Sequence, residues 1–166
     1  MDAILNRKSI RKYKNINVSD EIVEELLKAG MAAPSAANEQ PWEFIVLRDK
    51  EIMRKITEVH PYSKMLLNTD VAIIVCGDES KEIFKGFWVQ DCSAATENIL
   101  VAAEDKGLGA VWLGVYPIVD RVDAIKELLN LPSSVIPLSI IPVGYPDEER
   151  KAADRFNKTR IHYDRW

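Results

Sequence analysis

Ala33-Pro34-Ser35-Ala36-Ala37-Asn38-Glu39-Gln40-Pro41-Trp42 is the stretch on which the reading of this chain turns. A helical pattern runs into it and a strand pattern runs out. Pro34 and Pro41 bracket it, so neither end continues a helix without losing a backbone donor. Ser35, Ala36 and Ala37 are small and let another molecule approach the backbone. Asn38 and Gln40 each offer an acceptor and two donors. Two readings stand at this point. One is a turn-rich connector; the other is a wall of a site for a flat molecule edged with heteroatoms.

Upstream, Ile22, Val23, Leu26, Leu27 and Met31 recur at helical spacing, which predicts an amphipathic helix over Asp20–Ala32. Ser19 reads as its N-cap, with Asp20 and Glu21 in the first turn, where the helix dipole favours acids. Asp2 caps a short helix over Ala3–Arg7. Between the two lies the densest basic cluster of the chain, Arg7-Lys8-Ser9-Ile10-Arg11-Lys12-Tyr13-Lys14. Arg7 and Arg11 are four apart, so a helical turn places both on one face. With the Ser9 hydroxyl they could hold a phosphate, because arginine offers a planar donor fork. A solvated basic face is the alternative.

Downstream, Glu43–Leu47 is strand-like and Asp49–Val59 helical. Tyr62–Leu67 is a short turn or helix, and Val71-Ala72-Ile73-Ile74-Val75-Cys76 reads as a buried strand. Phe87 to Lys106 contains no Gly or Pro and predicts a helix about 30 Å long. Gly107 and Gly109 end it. Ala110–Val115 is the third strand, Val119–Leu129 a helix, and Val135–Val143 the last strand, with Pro137 at its beginning or on an edge. Lys158 and Arg160 alternate in a C-terminal tail; if the tail is extended they point the same way. No repeat or composition break divides residues 1–166, so the expectation is one domain.

The chain has 166 residues, 47% apolar and 29% charged, with a net charge of −4. That charge argues against general affinity for nucleic acid or anionic membrane, so an anion site must be a local concentration of cations. No apolar run approaches the roughly 20 residues of a membrane helix, and the N-terminus lacks the apolar run of a secretory signal. Cys76 and Cys92 form no Cys-x-x-Cys, and the default is two core thiols in a reducing cytoplasm. His60 and His162 share no ligand-type spacing with Cys, Asp or Glu. There is no P-loop and no Gly-x-Ser-x-Gly elbow. Gly107-Leu108-Gly109-Ala110-Val111-Trp112-Leu113-Gly114 is not a dinucleotide fingerprint, since Trp112 occupies the third glycine's place. Gly114 marks either a turn or a close approach to the backbone. Glu24-Glu25 and Glu148-Glu149 read as solvated helix faces.

Four motifs now stand in order: Arg7 to Tyr13, Ala33 to Trp42, Gly107 to Gly114, and Asn157-Lys158-Thr159-Arg160. Together they resemble the flavin-dependent nitroreductase family over essentially the whole chain. The resemblance implies an α+β fold, with a mixed, mostly antiparallel sheet between helices and a long central dimerisation helix. It implies an intertwined homodimer with FMN at the subunit interface. In that likeness Arg7, Ser9, Arg11, Lys158 and Arg160 are phosphate and ribityl contacts, and Lys8 meets the flavin through its backbone. Leu113 and Gly114 give backbone contacts at the ring edge. Pro34, Ser35 and Ala36 are lent by the partner subunit, and Asn38 is a flavin-contacting amide. The chain departs from larger members at Pro61-Tyr62-Ser63-Lys64-Met65, where they carry an Asn contact. It also lacks the helical insertion that covers their flavin. The implied activity is NAD(P)H-dependent: hydride passes to FMN N5 and then to a nitroaromatic or quinone, with no side chain named as acid or base. An FMN store or redox-sensing module without fast turnover is the alternative.

Overall fold

The computed structural model describes all 166 residues, Met1–Trp166. Five helices, α1 (Asp2–Asn6), α2 (Asp20–Met31), α3 (Lys50–Val59), α4 (Trp88–Asp105) and α5 (Val119–Leu129), pack around one sheet. Its strands are β1 (Trp42–Leu47), β2 (Val71–Asp78), β3 (Gly109–Ala110), β4 (Leu113–Gly114) and β5 (Val135–Gly144). The order is β1-β2-β5, with β3 and β4 both on the far side of β5, and every ladder is antiparallel. One isolated parallel bridge, Ser9 to Ala110, makes the pairing mixed. This is the expected α+β architecture with its long helix in the middle. No helix is long and apolar enough to cross a membrane.

The alternation of β2 divides the core. Val71, Ile73 and Val75 face α2 and α4, while Ala72, Ile74 and Cys76 face α3 and α5. A strand covered on both faces has no solvent side, so it is apolar at every position. Local chemistry sets the helix ends. The Ser19 hydroxyl accepts from Ile22 N–H, and Asp49 accepts from Glu51 and Ile52 N–H. At the end of α4, Leu108 N–H donates to Ala103 O and Gly107 N–H to Glu104 O. Gly107 has φ +70°, which completes a Schellman cap that an L side chain would strain.

The structure corrects several expectations. Ala110–Val115 is not one strand but two pieces. In the register that pairs Ala110 with Val143, Val111 stands opposite Pro142, which has no N–H to give. Pro137 lies two residues inside β5 rather than at its start, but where β2 alone pairs with it, since β3 and β4 reach only Ser139–Gly144, so β5 is an edge at that point as expected. The proline is tolerated because the ladder with β2 bulges there, Val75 pairing with Ser139 and Cys76 with Pro137. Asp2 is a first-turn acid rather than a cap; Met1 holds the cap position. Glu148 is not on a helix, and its Oε1 accepts from Arg11 N–H at 2.5 Å and Lys12 N–H at 3.2 Å.

The largest correction concerns residues 7–13, which do not form a helical turn. They run extended along the sheet edge, with Ile10 N–H donating to Ala110 O. A flat spot receives them. Gly109 pairs with Gly144, and a Cβ at Gly109 would lie 2.6 Å from Ile10 Cγ2, one at Gly144 3.0 Å from Tyr13 Cδ1. Ile10 and Tyr13 therefore bury against bare backbone and anchor the basic segment.

Candidate functional site

Extended chain also places alternate residues on one side, so Arg7, Ser9 and Arg11 still share a face, now over about 13 Å. Arg7 Nε pairs with Glu97 at 3.3 Å and Lys8 Nζ with Glu104 at 2.6 Å, both acids on α4. Arg11 continues to a cavity of about 420 Å³ that also takes in Leu113 and Gly114. Three of the residues singled out in sequence, from two distant motifs, thus meet at one place.

Gly114 is the centre of that cavity. Its carbonyl accepts two hydrogen bonds, from His60 Nε2 at 2.9 Å and Arg121 Nη1 at 3.1 Å. Tyr62 N–H donates to His60 Nδ1 at 3.3 Å, so the ring proton sits on Nε2 and points at Gly114 O. Burial holds the His60 pKa below its usual value, and the Arg121 charge lowers it further. The imidazole is neutral at pH 7. Arg121 also lies over the Tyr62 ring, 5.7 Å from its centroid. A Cβ built at Gly114 meets nothing within 4 Å; the space beside its backbone is open.

The Pro34–Asn38 segment is held elsewhere. Ala36 N–H donates to Asp91 Oδ1 at 3.1 Å, near the start of α4. Ser35 Oγ accepts from Gln40 N–H, and Gln40 Nε2 donates to Asn38 Oδ1 at 2.9 Å. The two amides therefore serve each other in part, and Asn38 keeps its side-chain N–H donors free. Ala37, Asn38 and Gln40 have φ of 47°, 55° and 46°, strain that L residues hold only where the surroundings impose it. Asp91 and Glu104, the anchors of this loop and of Lys8, are thirteen residues apart on α4, about 20 Å of helix.

Lys158 and Arg160 do not join the cavity. They lie in a 3-10 turn, Lys158–Arg160, and not in extended chain. Residues 151–166 are all exposed, and their hydrogen bonds are only with one another. Cys76 and Cys92 are free and buried; burial pushes the Cys76 thiol up to about 12, so neither is a nucleophile at neutral pH. Trp42 and Trp88 are core, whereas Trp112 lines the cavity.

His60, Tyr62, Met65 and Arg121 also line the cavity and do not stand out in sequence as site residues. Pro61–Met65 is marked there only by a missing Asn. One signal was available. Arg121 sits in the first turn of α5, where the helix dipole disfavours a cation.

The profile of the Nitroreductase family matches residues 4–60 and 58–145. A protein of Methanothermobacter thermautotrophicus, provisionally named NADH dehydrogenase/NAD(P)H nitroreductase, is 52% identical over 100% of this chain and 87% of its own length. A solved structure from Parabacteroides distasonis with the same provisional name superposes with a TM-score of 0.96 at 45% identity, covering 99% of this chain and 97% of that one. The FMN-dependent nitroreductase of Clostridium difficile R20291 superposes with a TM-score of 0.92 at 32% identity, covering 100% of both chains. With its motifs, its sheet and its relatives in agreement over nearly the full length, the chain belongs to the nitroreductase family.

Proposed function

We propose that the cavity at Gly114 seats the ring edge of FMN and that the protein passes hydride from NAD(P)H, by way of that cofactor, to a nitroaromatic or quinone in ping-pong order. Membership of the family makes the protein an enzyme, an NAD(P)H-dependent flavin oxidoreductase with FMN as cofactor. The observation that carries the seat is the open space at Gly114 in a cavity that Arg11 also lines. Nothing in the chain itself requires a glycine there, whereas a ring laid against the backbone does.

The residues take distinct parts in this reading. Arg7 and Ser9 hold phosphate and ribityl oxygens, and Lys8 contributes backbone. Arg11, Leu113 and Gly114 meet the ring edge; the extended strand separates Arg11 from Arg7 and gives the two arginines different ends of the ligand. FMN supplies the two-electron relay, and the protein supplies binding, orientation and charge. The overall stoichiometry is NAD(P)H, a proton and a quinone giving NAD(P)⁺ and hydroquinone. A nitro group takes the same two electrons and two protons to nitroso and water.

The partner subunit completes the site. The loop at Pro34, Ser35, Ala36 and Asn38 is anchored far along α4 from Lys8, so it serves the flavin held by the other copy across a two-fold axis. The tail supports the same assembly. Phe156 (71% exposed), Tyr163 (83%) and Trp166 (101%) have no cover in one chain. A second copy gives them one and brings Lys158 and Arg160 to a phosphate.

The test is an absorbance spectrum of the purified protein, followed by anaerobic mixing with NADH or NADPH. Flavin bands that bleach promptly and return with a nitroaromatic or quinone are the expected result. Bands that do not bleach point to an FMN store or redox-sensing module and overturn turnover. Colourless protein that takes up no added FMN overturns the site.

A further inference from the structure

Around Gly114 the charge is one-sided. Arg11 and Arg121 both reach the cavity, and no Asp or Glu lines it. Neither arginine belongs to any ion pair of the chain. Acids outnumber bases in this protein, 26 to 22, so two unpaired guanidiniums in one acid-free pocket are a local exception. Arg11 has a use in the flavin reading; Arg121 has none beyond the Gly114 carbonyl. That contact employs one N–H, at 3.1 Å, and leaves the other donors of the fork free. The carbonyl and the Tyr62 ring fix where the guanidinium stands. His60 cannot share the role, because its proton is committed to Gly114 O. The adjoining walls are flat and apolar, from Tyr62 and Trp112.

We propose that Arg121 is the anion-binding residue of the acceptor site, so that the protein prefers planar aromatic acceptors bearing a carboxylate. The carboxylate pairs with the free donors of Arg121, and the ring lies against Tyr62 and Trp112. A guanidinium meets a carboxylate with matched, charge-assisted geometry, which a neutral amide of the same size does not reproduce. The proposal rests on the flavin reading of the same cavity.

The experiment compares 4-nitrobenzoate with 4-nitrobenzamide as acceptors for the flavin-loaded protein, and titrates benzoate and benzamide, which accept no electrons, by calorimetry. The expected result is about a tenfold or greater preference for the acid in kcat/KM and in affinity, shrinking as salt is raised. Arg121→Gln brings both ratios near one, whatever its absolute rate, and Arg121→Lys retains part of the preference. The wild-type ratios need no variant, so a poorly folding substitution does not spoil the test. A yellow, bleachable protein that treats acid and amide alike overturns the carboxylate site and leaves the flavin reading standing. A colourless protein that NAD(P)H leaves unchanged overturns both. If Arg121→Gln raises KM for NADPH but not NADH, with the acid-to-amide ratio unchanged, Arg121 serves the nucleotide phosphate and the proposal falls.

Discussion

Gly114→Ala separates a glycine required by the chain from one required by a ligand. Its built Cβ meets no atom within 4 Å, and its φ is not in the left-handed region. Within the protein the methyl is therefore free of clash and strain. By narrowing the unfolded chain's freedom it stabilises by about 0.4–1 kcal/mol. For a chain of this size that raises the melting temperature by about 1–4 °C. The methyl projects into the cavity, where a ring against the backbone must give way. Overpacking of that kind costs about 1–3 kcal/mol, or about 5- to 150-fold in affinity. The assay is FMN titration of the apoprotein, followed by flavin fluorescence, beside a thermal melt. Weaker FMN binding at an unchanged or higher melting temperature is expected. Unchanged affinity would refute the claim that the backbone of Gly114 is approached.

The other glycine of the motif behaves oppositely. In Gly109→Ala the new methyl lies 2.6 Å from Ile10 Cγ2 and 2.7 Å from Ile10 Cβ, and a branch point cannot rotate away. Overpacking and loss of the Ile10 to Ala110 hydrogen bond together cost about 2–4 kcal/mol. A fall of about 4–16 °C in melting temperature is expected; a fall below 2 °C would show that residues 7–13 are not seated as described.

Three further predictions concern the surroundings. His60 is depressed below 6.5 in the folded state, so its stabilising contribution is full above pH 6.5 and declines as pH falls through that value; the melting temperature of His60→Gln should fall less than wild type between about pH 6.5 and 5, and parallel slopes would contradict the neutral imidazole. Glu39 Oε1 and Asp91 Oδ2 are buried without a donor, and burial first, then the Glu39 charge, raises the Asp91 pKa, so the folded chain holds a proton on Asp91 more readily than the unfolded chain does. The stability from that difference is lost as pH rises through the raised value; Asp91→Asn, which donates at any pH, should gain on wild type as pH climbs, and a constant gap between the two melts would contradict the raised pKa. Deleting residues 151–166 should leave the folded body intact, since the tail bonds only to itself, while light scattering shows a weaker dimer and FMN binding drops; an unchanged dimer with full flavin affinity would remove the tail from the site.

Much of the fold was legible because its signals are local. Ser19 and Asp49 start their helices by accepting from N–H groups two and three residues on, so a reader of ten residues sees them. The α5 helix, Val119–Leu129, has the bounds its periodicity predicts. Residues 7–13 misled for a physical reason: four-residue spacing of arginines suits a helix and an extended strand alike. What decides is Gly109 opposite Gly144, a gap in the side-chain layer that exists only after β3 pairs with β5. The site divided in the same way. Arg11 and Gly114 could be picked out within their own motifs, whereas His60 and Arg121 have their roles only through a shared hydrogen bond to Gly114, across 54 and 7 residues of chain.

The misread strand and the cavity lie along one edge of the sheet. Pro142 interrupts the ladder opposite Val111, so the far side of β5 carries two strands of two residues instead of one continuous edge. The later piece, β4, has β5 on one side only and would present unpaired backbone to water on the other. Its outermost carbonyl, Gly114 O, is satisfied by His60 from the end of α3 and Arg121 from the start of α5. Those two helices therefore meet at Gly114 and frame the pocket, and no residue of β5 is needed as a wall. The register is nonetheless continuous across the break, Ala110 pairing with Val143 and Leu113 with Ile140, so β4 lies where an unbroken strand would. What turns its outer edge into a pocket is therefore not the proline but the two side chains that reach Gly114 O from α3 and α5 and leave the space beside the Gly114 backbone open.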